Sequence, residues 1–322
     1  MMNITVLIPT YRREKDLERC LEALKKQTRL PDELLLVIRD IDEETQAFLE
    51  TFNLDFLPLR TVKVNIPGQV AALNAGLDAA QGDIIAITDD DAAPRPEWLT
   101  RIEAHFLSDD SIGGVGGRDW MYRGTELVDG TREVVGKVQW FGRTIGNHHF
   151  GVGKSREVEI LKGANMSYRR SAIANLRFDE RLRGTGAQVH NDLAFSLGVK
   201  RSRWKLIYDP LVELDHFHGQ RFDEDKRDEF NHIATVNQVH NQTLTLLEYL
   251  PPVRRVVFII WGILIGTRDQ RGFIQGLRFL PTEGILSWQK FMASLEGQWQ
   301  GWQTWRQSTD KLKTQAIAKT SL

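Results

Sequence analysis

Apolar and polar positions along the first 110 residues alternate between two periods. Ile4–Ile8 is a short apolar, β-branched run closed by Pro9 and a polar turn, and residues 15–27 then place apolar side chains at helical spacing. Leu34–Ile38 repeats the strand signal and 43–52 the helical one. Thr61–Val64 is a weaker third strand, Gly68–Ala80 a helix of small residues, and Asp83–Thr88 a strong fourth strand. Strand and helix at this pitch predict βαβ units and a mainly parallel sheet covered on both faces. Ligands of such sheets gather at the carboxyl ends of strands, so chemistry is expected in the residues just after each strand.

Past residue 110 the pattern is mixed. A glycine run, Gly113–Gly117, leads into a loop-like 119–160, a compact 163–170 and a helical 190–200. From about 228 onward the chain reads as helices punctuated by Pro251-Pro252. The expected division is an α/β domain over 1–225 and a helical region over 226–322. In the latter, Val256–Ile265 is apolar but shorter than the ~20 residues of a bilayer span. Trp288, Phe291, Leu295, Trp299 and Trp302 recur at three- or four-residue steps, one face of a helix.

Charge sharpens this division. The 322-residue chain has a formal net charge of −1, which offers nothing to nucleic acid, and its 41% hydrophobic and 26% charged residues exclude disorder. Residues 1–250 hold 32 Lys+Arg against 39 Asp+Glu, whereas 251–322 hold 10 against 4. Tryptophan among basic residues suits a helix lying on an anionic membrane; a helical cap on the core or on a second subunit of a homo-oligomer fits equally well. The single cysteine, Cys20, sits among Leu17, Leu21 and Leu24 and reads as a small buried residue, as suits a reducing compartment. Met1-Met2-Asn3 runs into the first strand without the basic and apolar segments of a secretory signal. Cytoplasmic residence is therefore expected, at the inner face of the membrane if the C-terminal region meets lipid.

Four constellations fall after the predicted strands. Pro9-Thr10-Tyr11-Arg12 sets a hydroxyl, an aromatic face and a cation at the edge of the first strand, though alone it would also serve as a turn. Asp89-Asp90-Asp91 directly follows the most apolar strand. Adjacent carboxylates repel, so folding does not favour them, whereas a hard divalent cation bridging to phosphates would offset the repulsion. Lys162–Arg170 joins small residues, which let backbone approach closely, to the short hydrogen-bonding groups of Asn165 and Ser167. The fourth runs from Phe178-Asp179-Glu180 through His190-Asn191-Asp192 to Tyr208-Asp209-Pro210 and His216-Phe217-His218. It offers a carboxylate at a helix start, suited to general-base duty, and later histidines, either one able to be a third metal ligand. Two other motifs fail. Gly113–Gly117 lacks the G-x-G-x-x-G spacing of a dinucleotide loop, and Gly153-Lys154-Ser155 has His148 where a phosphate loop needs its earlier glycine.

The ordered set Val6–Tyr11, Gly68 to Gly76 with Asn74, Gly82-Asp83, Asp89-Asp90-Asp91, Lys162–Met166, Phe178-Asp179-Glu180 and Tyr208-Asp209-Pro210 resembles glycosyltransferase family 2 over roughly residues 3–220. The resemblance implies the α/β GT-A fold, a Rossmann-like, mainly parallel central sheet flanked by helices, here with a helical C-terminal extension. It implies an inverting transfer, dependent on Mg²⁺ or Mn²⁺, of a sugar from a nucleotide-diphosphate sugar to the hydroxyl of a carbohydrate or lipid-linked acceptor. Pro9, Thr10 and Tyr11 would line the nucleotide pocket, with Arg12, Asp40, Gly68, Asn74, Asp89 and Asp90 around it. Asp89 and Asp91 would be the D-x-D pair, Asp91 the direct metal ligand, His216 the late metal-binding histidine and Asp192 the catalytic base. Gly163, Ala164, Asn165, His190 and Asn191 would face the donor or acceptor sugar.

Three departures stand out. Where family members commonly carry two acidic residues after the second strand, this chain has Arg39-Asp40, which leaves the nucleobase open. The usual Glu-Asp catalytic pair is Asn191-Asp192. The Gln/Arg-x-x-Arg-Trp motif of polymer-making members is not evident, so addition of one or a few sugars is expected. A sugar-phosphate nucleotidyltransferase would need a Gly-rich, Arg-containing loop in place of Pro9–Arg12. A catalytically inactive carbohydrate- or membrane-binding protein would have no use for Asp89–Asp91 and Asp192.

Overall fold

Strands apolar along their whole length must be covered on both faces, and the first strands of this chain occupy the interior of the sheet accordingly. The computed structural model describes residues 1–225 and 229–320. In it β1 (Ile4–Thr10), α1 (Glu14–Lys25), β2 (Glu33–Arg39), α2 (Glu43–Thr51), β3 (Leu59–Val64), α3 (Gln69–Ala79) and β4 (Ile84–Ile87) alternate as the periodicity predicts. β1 pairs in parallel with β2 and β4, and β2 with β3. Pro9 does not end β1, which continues to Thr10 opposite Ile38. Pairing with β4 stops at Leu7, so that side of the strand has room for a residue without an N–H.

Next come β5 (Ala92–Pro94), α4 (Trp98–Ser108), β6 (Ile112–Arg123), β7 (Glu126–Leu127), β8 (Lys137–Val138), β9 (Thr144–Ile145), β10 (Arg156–Val158), β11 (Met166–Arg169), α5 (Asn191–Arg201) and β12 (Lys205–Phe217). The sheet runs β10-β12-β6-β11-β4-β1-β2-β3, with β5 and β7 on the flanks of β12 and β6. β11 is antiparallel to both of its neighbours, and β12 is parallel to β6. Three features depart from the sequence reading. The expected loop over 119–160 begins inside β6 and contains four short strands. The glycine run is a strand because nothing larger fits: a Cβ at Gly117 would lie 1.9 Å from the Val212 carbonyl oxygen, and one at Gly116 2.5 Å from that of Asn165. Helix α4, unforeseen, buries Trp98, Leu99, Ile102 and Phe106 at helical spacing. Its core partners include Leu17, Leu21, Ile4 and Ile8.

The chain forms two compact units. The first holds Met1–Val138, Thr144–Phe178 and Phe195–Arg221; the second holds Gln139–Arg143, Asp179–Ala194 and the described residues from Phe222 on. The second is thus larger than the C-terminal region alone. It contains α6 (His232–Tyr249), α7 (Pro252–Leu264), α8 (Phe273–Glu283) and α9 (Ile285–Thr320). α9 meets α6 through small residues. A Cβ at Gly297 would lie 2.7 Å from the Val236 carbonyl oxygen and one at Gly301 2.7 Å from that of His240. The buried stripe of α9 therefore includes Ala293, Ser294, Gly297 and Gly301, while Trp288 and Trp299 of the expected aromatic face are exposed. No described helix is long and apolar enough to cross a membrane.

In the first unit Asn74 fixes the chain at Phe178: its Oδ1 accepts the Phe178 N–H at 2.8 Å and its Nδ2 donates to the Phe178 carbonyl at 3.0 Å. Both amide atoms are committed there, away from the nucleotide role that the resemblance gave this residue. Asn74→Ala would leave two buried backbone groups unpaired and is expected to lower stability by about 2–4 kcal/mol in urea denaturation. An unchanged midpoint would show that water replaces the amide.

Candidate active site

Because β1 and β4 are adjacent and parallel, the segments after them emerge side by side at one edge of the sheet. Thr10, at the end of β1, donates its hydroxyl to Asp90 Oδ2 at 2.9 Å, and Arg13 donates to Asp90 Oδ1 at 2.8 Å. The same guanidinium lies 3.7 Å from Asp91 Oδ2 and is held by a bond from its Nε to the Gln220 carbonyl. The end of β12 closes the other side. Pairing of β12 with β5 sets His216 opposite Ala92, next to Asp91 in the chain. Asp91 accepts the Phe217 N–H at its carbonyl and the Gly219 N–H at Oδ2, 2.9 Å. His216 Nε2 stands 3.2 Å from Asp91 Oδ1, and its Nδ1 3.4 Å from Asp119 Oδ2. Lys162 forms an ion pair with the same Asp119 oxygen. Asp119 Oδ1 is buried and has no hydrogen-bond partner among the described residues.

Burial raises carboxylate pKa values and opposing charges lower them, and the outcome differs between neighbours. Asp90 is pushed up to about 7, burial outweighing Arg13. Asp91 is buried too, yet the hydrogen bond and charge of His216, with Arg13, hold it well below the carboxylate range. Asp119 is likewise lowered, with Lys162 and His216 overcoming its burial. Burial alone would depress His216; its bonds to Asp119 and Asp91 instead raise it to about 9.

The ligand atoms of Asp89, Asp91 and His216 all lie within 4.8 Å of one another. Two carboxylates and an imidazole match the ligand preferences of a divalent cation. The residues present therefore fit the group expected from the sequence. A second acidic group, Glu14, Asp42 and Glu44, is different. Asp42 is occupied by the Arg12 N–H and by the N–H and hydroxyl of Thr45.

The other expected site residues are spread more widely. Pro9 lies one residue before Thr10 on the same strand end. The Tyr11 ring has the guanidinium carbons of Arg12 at 5.2 Å and Arg39 at 5.9 Å. Exposed Asp40 lies 3.8 Å from Arg39 Nε. Gly68, at φ 105°, opens α3 in a conformation that a side chain would strain, and the next residue, Gln69, donates to Asp89 Oδ1 at 3.2 Å. A Cβ at Gly163 would meet nothing within 4 Å, so the backbone there borders open space. The Ala164 carbonyl accepts the Thr88 hydroxyl. Asn165 is consumed by packing: its Oδ1 accepts from Trp98 Nε1 and its Nδ2 donates to the Val212 carbonyl, each at 2.9 Å. His190, Asn191 and Asp192 belong to the second unit. Asn191 Nδ2 donates to the Ala187 carbonyl at 3.0 Å, and Asp192, in the first turn of α5, accepts the Leu193 N–H at 2.8 Å.

Arg13, Asp119 and Lys162 were not among the expected site residues. Arg13 directly follows the singled-out Arg12, and Lys162 opens a quoted motif. Asp119 follows a glycine run without the spacing of a dinucleotide loop, and only the strand pairing of β6 with β12 brings it to His216.

The sequence model of Glycosyl transferase family 2 matches residues 5–177. A glucosyl-dolichyl phosphate glucuronosyltransferase of Haloferax volcanii is 27% identical over 178 residues, 53% of this chain and 54% of that one, so the match spans about half of either. Among solved structures, the mannosyltransferase PcManGT of Pyrobaculum calidifontis, in complex with GDP-Man and Mn²⁺, aligns with TM-score 0.53 at 17% identity over 92% of this chain and 86% of that one. S. aureus TarS 1–349, in complex with UDP-GlcNAc, aligns with TM-score 0.55 at 13% identity over 95% and 92%. What these two share with the chain is the GT-A fold.

The raised pKa of His216 has a measurable sign. In the metal-free protein its contribution to stability is complete below its ordinary value of 6.5 and is lost as pH rises toward about 9. In chelator, unfolding free energy should fall over that window by on the order of 1–3 kcal/mol. His216→Asn should remove this slope; a slope that persists in the variant would assign it to another group.

Proposed function

Because the chain belongs to glycosyl transferase family 2, we propose that it transfers a sugar from a nucleoside-diphosphate sugar to an acceptor hydroxyl, with inversion at the anomeric carbon. The observation that carries this reading is the convergence of Asp89, Asp91 and His216 at the carboxyl edge of a parallel sheet, inside the fold that holds Mn²⁺ and GDP-Man in the Pyrobaculum mannosyltransferase. A divalent cation bound by these residues, Mn²⁺ in preference to Mg²⁺, would offset the charge that grows on the departing diphosphate.

The remaining work falls to the chain itself. Arg13 pairs with Asp90 at 2.8 Å and reaches Asp91 at 3.7 Å, so one cation holds both carboxylates oriented without a ligand. Asp119, anchored by Lys162, takes the Nδ1 side of His216 and turns Nε2 toward Asp91. Tyr11 gives the nucleobase a face to stack on, and the backbone at Gly163 borders the donor sugar. Asp192 acts as general base: its carboxylate takes the proton of the acceptor hydroxyl as that oxygen bonds to the anomeric carbon and the bond to the diphosphate breaks. The acceptor is a carbohydrate or lipid-linked sugar, a class supported by the Haloferax relative named for glucosyl-dolichyl phosphate. The buried single thiol of Cys20 suits a cytoplasmic setting for this reaction.

Calorimetric titration with nucleoside diphosphates and nucleotide sugars, in Mn²⁺ and in chelator, tests the donor site. One nucleotide should bind only with metal, and Asp91→Ala should abolish that binding. Asp192→Asn should cut turnover by about 10²–10⁴ with donor affinity retained. Loss of donor affinity in Asp192→Asn would remove it from the base role, and metal-independent binding throughout would sink the metal assignment.

A further inference from the structure

We propose that the second unit carries a docking surface for an anionic lipid bilayer, formed by the outward faces of α7 and α8 and the start of α9. It begins with an excess of exposed apolar groups. Among the described residues, thirteen of the twenty-six exposed large apolar side chains fall between Val253 and Met292, a small fraction of the chain. Scattered apolar residues on a surface are ordinary, but a concentration of this kind marks a surface with a partner.

Helix α7 shows why. Its inner side places Phe258 against Gly142 and Gly262 against Gln298. Its outer side carries Val253, Val256, Ile260 and Ile263 at three- and four-residue steps, all exposed. A helix apolar on both sides is ordinarily covered on both. α8 repeats the arrangement, with Gly276 facing Phe291 inside and Ile274 and Leu277 exposed outside.

Loose packing does not account for this exposure. Arg271, only 1% exposed, donates to Ser287 Oγ at 2.5 Å, to Glu283 Oε1 at 2.6 Å and to the Arg268 carbonyl at 3.1 Å. That clamp fixes α8 and α9 to the turn between α7 and α8. Arg254 donates to the carbonyls of Gln139 and Trp140, 2.9 Å each, and Phe141 packs on Trp261, so exposed Trp140 is held beside the first turn of α7.

Charge selects the occupant. Residues 252–292 contain Arg254, Arg255, Arg268, Arg271, Arg278 and Lys290 against Asp269 and Glu283. Glu283 is already taken by Arg271 and Lys290, while Arg268 and Arg278 are exposed. Apposing the same face of a second copy would set a cationic surface against itself. Lipid phosphates would instead neutralise it while the apolar side chains enter the headgroup–acyl boundary. With no described helix able to cross a bilayer, the contact lies in the plane of the membrane. The proposal needs only the second unit and is independent of the donor site.

The test is flotation of the full chain with vesicles of phosphatidylcholine alone or with about one-third phosphatidylglycerol, at rising NaCl. The chain should float with the anionic vesicles and be released by salt. The double variant Ile260→Glu/Leu277→Glu should partition about tenfold less or weaker still, with an unchanged circular dichroism spectrum. Arg268→Glu/Arg278→Glu, which alters only exposed polar positions, should lose the preference for anionic vesicles. A wild-type chain that floats with neither vesicle overturns the proposal, as does a double glutamate variant that floats as well as the parent. Light scattering that shows a wild-type dimer and a monomeric double variant would assign the face to a second copy instead.

Discussion

Asp90, Asp91 and Asp119 are almost wholly buried within one small region, and an unpaired charge in such a place costs several kcal/mol. Arg13, His216 and Lys162 answer them. These partners come from different parts of the chain, so the need to pair the carboxylates ties the loop after β1 and the end of β12 to the segment after β4, and the segment before β11 to β6. Asp89 makes a fourth carboxylate. With Arg13 and Lys162 charged and His216 neutral, a divalent cation would bring the formal sum to zero. Without it, a protonated His216 supplies half of the deficit, which is why its pKa is raised.

Elements buried on both faces were the legible ones. β1, β2 and β4 read directly because a covered parallel strand leaves an unbroken apolar run, and α3 because small residues at helical spacing allow close packing on the sheet. β6 was not legible, since its glycines carry no hydrophobic signal, and their meaning lies in the carbonyls of Asn165 and Val212 pressed against them. The acidic run and the late histidine could be recognised as candidate metal ligands from residue type and order, and their ligand atoms lie together. Asp119 and Lys162 could not, because their significance is a strand register and an ion pair that no local spacing encodes. Asn74 and Asn165 show the converse. Both belong to the family-like pattern, yet their amides are spent on Phe178, Trp98 and Val212.

The helical unit shows a different limit of sequence spacing. Aromatic spacing along α9 fitted a membrane-facing helix and a packed cap equally well, and it said nothing of the stripe where Gly297 and Gly301 bring α6 close. Helix contact at short range is set by what is absent from a side chain, and tryptophan at the same period was free to face outward. The clamp at Arg271 works similarly. A charged residue in an apolar segment would ordinarily be read as solvated, yet it is buried and fully engaged.

The contact between His216 Nε2 and Asp91 Oδ1 also makes the metal-free site a proton store. Near neutrality the imidazole holds a proton that it must surrender to become a metal ligand. Loading the site with the proposed cation would therefore be an exchange, cation in and proton out, with the proton passing to the buffer. The heat of such loading would include the buffer's own enthalpy of protonation. Its dependence on buffer identity, at fixed pH, counts the protons that leave and makes the chemistry of one buried imidazole visible without any sugar being transferred.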